Sequence, residues 1–215
     1  MTETDWAGQT VMRRTMILLA GYPATGKSYF CNKILEKYPQ FSVISQDELK
    51  EGLWDKYGFD NLEEKTALEV QSWEIFYRNM EQKMEAGEFL ISDYPFSGKQ
   101  KGRIQDIAER NGYQIITIRL KGDIDVLYER SRKRDLSSSR HLGHLVSRYH
   151  KGDVLDERGK ADMLVSYEVF RQRCLERGYD KFALGYLIEV DVTDYGRIDY
   201  PGIMRRIGQI MGGRD

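Results

Sequence analysis

The run Gly21-Tyr22-Pro23-Ala24-Thr25-Gly26-Lys27-Ser28 has the residue types and spacing, G-x-x-x-x-G-K-S, of a turn that grips phosphate. Small residues let successive backbone N–H groups point inward around an anion, and a helix that follows adds the positive end of its dipole. Lys27 has the reach for terminal phosphates, and the Ser28 hydroxyl is a hard oxygen suited to Mg²⁺. Gly21, Ala24, Thr25, Gly26, Lys27, Ser28 and Tyr29 are therefore the candidate ATP-binding positions. A bland glycine turn is the competing reading. It leaves unexplained the apolar run Met16–Ala20 before the loop and the helical pattern Tyr29–Tyr38 after it.

A phosphoryl group aimed by such a loop needs a proton acceptor and charge around it. Ligands of open parallel sheets lie beyond the carboxyl ends of the strands, and three acids fall there. Asp47, past the apolar run Phe41–Ser45, is the candidate general base. Asp93, past Glu88–Ser92, is the candidate for metal or acceptor contact, and Asp191 reads as structural. Helix capping competes for each acid, and for Asp47 the two roles are compatible.

Charge is unevenly spread. Gln46 to Ile75 carries nine acids against three lysines, whereas Glu129 to Lys151 carries seven Lys or Arg against two acids. A charge run ordinarily marks a solvated face. Arg130 and Arg134, however, share one side of a helix and suit stabilisation of a transferring phosphoryl group, while Arg132 points elsewhere. Arg140 and His141 are candidates for a lid reaching phosphate or acceptor. A metal reading of His141, His144 and His150 is disfavoured by the lack of a nearby cysteine.

Alternating strands and helices must hold these residues. The sequence predicts strands at 16–20, 41–45, 88–92, 114–120 and 186–191. Helices are expected after the loop, from Asp47 to about Lys56, from Asn61 to Gly87, and over 101–111, 123–135, 160–177 and 200–211. Asn61 with Glu64 is a capping-box arrangement. Val70, Trp73, Phe76, Tyr77, Met80 and Met84 form a stripe expected in the core, with Trp73 or Tyr77 as lesser candidates for lining a pocket. Such alternation specifies a parallel sheet covered on both faces. Residues 1–14 are expected as a loose leader that only Trp6, Val11 and Met12 could pin. Residues 15–215 are expected as one domain whose segment 136–160 is a lid or acceptor region.

The chain of 215 residues, 40% hydrophobic and 31% charged, suits one buried α/β domain. Its net charge of −1 excludes a globally basic nucleic-acid binder. No apolar run approaches membrane-spanning length, so a cytoplasmic location without membrane contact is expected. Cys31 and Cys174 read as packed thiols.

The loop G-x-P-x-x-G-K-S, the Ser45-Gln46-Asp47 after strand two, Ser92-Asp93 after strand three and the E-R-x-R-K-R helix resemble one group of P-loop kinases. These are the AAA_33, polynucleotide kinase-like, zeta-toxin-like and chloramphenicol phosphotransferase-like enzymes, which phosphorylate small or nucleic-acid hydroxyls. The resemblance covers residues 15–135 well and Asp191-Val192-Thr193 more loosely. It implies a three-layer α/β/α sandwich, a five-stranded parallel sheet in order 2-3-1-4-5 and a helical lid insertion. It implies ATP and Mg²⁺ held by Lys27 and Ser28, Asp47 as base, Asp93 on the acceptor side, and Arg134 with Arg130 as lid arginines. Lys50 stands where the polynucleotide kinases carry an arginine for the acceptor phosphate. That departure, with the acidic 46–75 segment, favours a small-molecule hydroxyl over a nucleic-acid end. A GTPase reading lacks N-K-x-D, and the lookalike Phe96-Ser97-Gly98-Lys99-Gln100 of a transporter ATPase signature leads to no strand ending in an acidic pair. A non-transferring ATPase or nucleotide-binding regulator is the remaining alternative.

Overall fold

A computed structural model describes residues 12–212 of the protein. Strands β1 (Thr15–Gly21), β2 (Phe41–Val43), β3 (Phe89–Asp93), β4 (Gln114–Lys121) and β5 (Tyr186–Asp191) form one all-parallel sheet in order β2-β3-β1-β4-β5. This is the P-loop NTPase α/β fold. Every residue of β1 is buried. Ile17 and Leu19 enter one core with Phe30 and Ile34 of α1 (Lys27–Lys37), Leu127 of α5 (Ile124–Leu136), Phe170 of α6 (Tyr167–Glu176) and Ile207 of α7 (Tyr200–Met211). Met16, Leu18 and Ala20 enter the other with Phe76, Met80 and Met84 of α3 (Leu62–Glu85) and Ile104 and Ile107 of α4 (Gly98–Arg110). Burial on both faces is why β1 reads as a continuous apolar run rather than an alternating one.

Several boundaries differ from expectation for identifiable reasons. Helix α2 (Gln46–Tyr57) is capped by Ser45, whose side chain accepts from Glu48 N–H, so the Asp47 carboxylate is not consumed as a cap. Helix α4 starts at Gly98 because Ser97 and Gln100 complete a capping box. Helix α6 starts at Tyr167, capped by Ser166, rather than at 160. Asn61 caps α3 through Glu64 N–H, but the Glu64 carboxylate reaches back one residue further, to Asp60 N–H at 2.8 Å. Val70 is 59% exposed and leaves the expected core stripe, because α3 buries the face carrying Ser72, Phe76 and Met80. Trp6 and Val11 lie outside the described residues. Met12 is exposed, while Arg13 N–H donates to Met211 O and Gln114 N–H donates to Arg14 O.

The segment expected as a helical lid carries only 3₁₀ turns at Leu142–His144 and Arg158–Lys160. Side chains of α2 and the α2–α3 turn hold it down, together with a backbone bridge in which Phe59 and Tyr149 exchange N–H···O bonds of 2.8 Å each. Asp55 meets His141 at 3.0 Å and accepts from the Tyr149 hydroxyl at 2.6 Å; Glu51 meets His144 at 2.6 Å, and Asp60 accepts from Arg148 at 3.0 Å. Trp54, Phe59 and Tyr149 form a small core beneath it. The acidic and basic stretches thus face one another. Among the described residues no helix is long and apolar enough to cross a membrane.

Gly21 ends β1 at φ +110°, and a Cβ there would lie 1.9 Å from the Leu120 carbonyl oxygen on β4. Gly21→Ala is expected to cost about 3 kcal/mol of unfolding free energy by urea titration. An unchanged midpoint would contradict this close approach.

Candidate active site

Strand register assembles the site. Leu19 pairs with Asp93 on β3 and Gly21 with Leu120 on β4, so the loop leaves β1 between the tips of its two neighbours. Ala24 (φ 60°) and Gly26 (φ 78°) adopt left-handed backbone, the conformation that turns successive N–H groups toward one centre. A Cβ at Gly26 would lie 2.7 Å from the Tyr195 hydroxyl, a second reason for glycine there. Thr25 Oγ1 donates to Tyr22 O at 2.8 Å and braces the turn. Lys27 Nζ folds onto the loop, donating to Tyr22 O at 2.7 Å and Thr25 Oγ1 at 3.3 Å. Burial pulls its ammonium down to about 8; Asp93 opposes this and Arg134 adds to it.

Ser28 Oγ donates to Asp93 Oδ2 at 2.6 Å. Burial raises the Asp93 carboxyl, and the like charge of Asp47 raises it further against that bond. Two hard oxygens side by side at the loop fit Mg²⁺. Among the described residues no cluster of three or more His, Cys, Asp or Glu offers a metal cage. Such an ion at Ser28 and Asp93 would complete its shell with phosphate oxygens and water.

Asp47 lies across the same cleft. Burial would raise its carboxyl, but Lys50 Nζ at 2.9 Å, then His144 where it is protonated, and Arg140 Nη1 at 4.0 Å outweigh this and hold it below the ordinary carboxylate range. Its side chain is 41% exposed to the cleft. His144, also lining the cleft, is pulled down to about 4 by burial, so near neutral pH its ring is uncharged and its Nε2–H donates to Glu51.

The cleft has a volume of about 600 Å³. Lys27, Lys50, Arg130, Arg134, Arg140, Arg173 and Arg177 line it against only Asp47 and Asp93, seven cations to two carboxylates. Ala24, Gly26, Ser28 and Tyr29 also line it. The candidate acceptor residue His141 does not; it is turned to Asp55 under the lid. Asp191 also stays outside, accepting from Thr193 N–H. Arg130 spends its two terminal nitrogens on Val192 O (2.6 Å) and Thr193 O (2.8 Å) and stacks 4.0 Å over the Tyr195 ring, so it shapes the wall more than it offers a free fork. Arg134 is tethered to Asp135 at 2.8 Å. Trp73 and Tyr77 are not lining residues; Trp73 buttresses Tyr94, which is one. Sequence reasoning missed Tyr94, Arg173, Arg177, Tyr179 and Tyr195, and weighed His144 only as a metal ligand. Of these, only Arg173 and Arg177 carried a readable signal, the same four-residue helical spacing as Arg130 and Arg134. A second groove between α1 and α7, lined by Tyr38, Tyr200 and Met204, contains no loop residue.

Lys27 is charged below about pH 8 and neutral above it. Phosphate prefers the charged form, so nucleotide affinity should fall as pH rises through 8, by up to about tenfold per pH unit. Calorimetry at pH 8.5 in buffers of different ionisation enthalpy should show proton uptake on binding that Lys27→Ala abolishes. Uptake persisting in that variant would assign the proton elsewhere.

A family model described as an AAA domain, AAA_33, matches residues 16–147. No curated protein matches the sequence. Among solved structures, a candidate kinase from Chloroflexus aurantiacus j-10-fl superposes with a TM-score of 0.71 at 19% identity, over 97% of this chain and 100% of that one. A chain of the Pnkp1/Rnl/Hen1 RNA repair complex superposes with a TM-score of 0.55 at 12% identity, over 84% of this chain and 50% of that one. At these identities the likeness is one of fold. The family match spans the phosphate loop, both cleft acids and the α5 arginines, and on that extent the chain belongs to the AAA_33 family of AAA-domain proteins.

Proposed function

We propose that this protein is a kinase transferring the γ-phosphoryl group of ATP to a hydroxyl of a small-molecule acceptor, with Asp47 as general base. The observation that carries the reading is a carboxylate held ionised by Lys50 and Arg140 in the same cleft as Lys27 and the Ser28–Asp93 pair. A nucleotide-binding module without transfer has no use for that acid. The loop N–H groups and Lys27 hold the β- and γ-phosphates. Mg²⁺, when bound at Ser28 and Asp93, neutralises phosphate charge. The acceptor oxygen attacks Pγ and its proton passes to Asp47. The bond from Pγ to the β–γ bridging oxygen breaks, releasing ADP and a phosphate monoester. Arg134 and Arg140, which line the same cleft, would stabilise the charge that spreads over the transferring oxygens.

An RNA or DNA 5′-hydroxyl acceptor is the second reading. The net positive lining favours it, and the acidity of 46–75 counts against it less than the sequence implies, since those carboxylates are partly spent on the lid.

The full chain is incubated with γ-labelled ATP and either pooled hydroxyl metabolites or short 5′-hydroxyl RNA. Label in a small ester supports the proposal, label in RNA supports the second reading, and label only as free phosphate makes the protein an ATPase. Asp47→Asn should lower transfer about 10²- to 10⁴-fold with ATP affinity near wild type. Full transfer in that variant would move the base to another residue.

A further inference from the structure

Arg173 and Arg177 lie beyond the stretch matched by the family model, on α6 and at its C-cap. Four residues apart, they share one side of the helix and line the cleft. The other arginines of the cleft have partners: Arg130 two carbonyls, Arg134 the Asp135 carboxylate, Arg140 Asp135 and Asp47. Among the described residues neither Arg173 nor Arg177 has an acid within ion-pair distance, and the hydrogen bond of this pair is Arg177 Nη1 to the buried Tyr179 hydroxyl at 3.4 Å. Arg173 is half-buried beside Arg177, and both burial and the neighbouring like charge disfavour its ionised form. Two adjacent guanidiniums that face the cleft without an ion-paired acid of their own are a receptor for an anion.

The position of that anion follows from Tyr94, next in the chain after Asp93. Lys50 Nζ, which pairs with Asp47 at 2.9 Å, is 5.8 Å from its ring centre, and Tyr94 lines the same cleft as Tyr179, Arg173 and Arg177. Tyr94 therefore joins the Asp47 end of the cleft to the α6 arginines, whereas Arg130 and Tyr195 stand at the β5–α7 end. Charge balance agrees. Seven cations against Asp47, Asp93 and the Asp135 carboxylate that pairs with Arg134 and Arg140 leave four positive charges, and a Mg²⁺-bound triphosphate supplies only about two negative ones.

We propose that Arg173 and Arg177, with Tyr179, form a second anion subsite that binds an acidic group, phosphate or carboxylate, carried by the acceptor in addition to its reacting hydroxyl. The substrate class is thus a small phosphorylated or carboxylated alcohol. This rests on the transferase reading for the hydroxyl, but not for the subsite. A small anion fits better than a nucleic-acid strand, because three basic groups of the lid outside the cleft face acids: Asp60 takes Arg148 and His150, and Asp55 lies 3.9 Å from Lys151.

The test uses the full chain with Mg²⁺ and a saturating non-hydrolysable ATP analogue, so that the loop is filled. Inorganic phosphate is titrated as the probe and followed by its ³¹P line width, then competed with acetate to separate phosphate from carboxylate preference. Arg173→Gln and Arg177→Gln should weaken phosphate binding on the order of 10- to 100-fold, and Arg173→Lys, checked for an unchanged melting temperature, should recover part of it. ADP release is then measured with sugar phosphates and hydroxy acids, with neutral sugars and polyols, and with a 5′-hydroxyl RNA oligomer. Preference for the anionic pool, with the variants raising KM for acceptor and not for ATP, supports the proposal. Equal use of neutral acceptors, preference for RNA, phosphate binding unchanged in the variants, or a loss confined to kcat would overturn it. If phosphate binding is lost in the variants while no pool is phosphorylated, the subsite stands and the transferase reading falls.

Discussion

The bond from Ser28 Oγ to Asp93 Oδ2 joins the first turn of α1 to the tip of β3 across the chain's most buried strand. The loop is correctly presented only if β1, β3 and β4 hold their register, because Gly21 sits against Leu120 and Asp93 is set opposite Leu19. A one-residue slip would exchange the two faces of β1 between its cores and carry Asp93 away from the serine. The chemistry therefore inherits its precision from apolar burial on both sides of a single strand.

Around that junction electrostatics divide the labour of two charged stretches. The α2 acids Glu51 and Asp55, with Asp60, turn toward the lid; Asp47 turns toward the cleft. Such polar contacts exchange one set of hydrogen bonds for another and add little net stability, whereas burying an aromatic side chain contributes about 1.5–3 kcal/mol. The small core of Trp54, Phe59 and Tyr149 consequently does more to hold the lid than its ion pairs, which decide where it lands. Lys65 shows the cost of that packing. It is 6% exposed beneath the lid, pulled down to about 8 by burial, and retained by Val146 O at 3.0 Å and the faces of Trp54 and Phe59.

With those carboxylates turned away, the cleft itself is positive, although the protein as a whole is close to neutral. Asp47 stays ionised because Lys50 and Arg140 flank it, and the same cations reduce its intrinsic basicity. A substrate that brings its own negative charge relaxes this compromise, which links the proposed base to the proposed anion subsite.

The phosphate loop, the strand positions and the two cleft acids were legible in the sequence because each depends on local pattern: a glycine spacing, apolar runs and a polar residue at a strand's end; the strand order came from the family resemblance that those motifs carry. The register of α3 was misjudged at Val70, where helical spacing alone does not say which of two adjacent stripes meets the sheet. The fate of the 136–160 segment was not legible either. It is held by side chains of α2 and by Lys65, many residues earlier, and such long-range contacts leave no periodicity. So the sequence alone determined the fold class and the left-handed glycine loop at the end of β1, since backbone geometry near glycine and the apolar run of β1 are properties of contiguous residues. Only the tertiary structure decided that Arg130 braces a wall, that His141 faces away, and that Arg173 and Arg177 line the cleft with no acid in ion-pair distance among the described residues. Those outcomes depend on which distant carbonyl or carboxylate each cation meets, and chain order does not encode that distance.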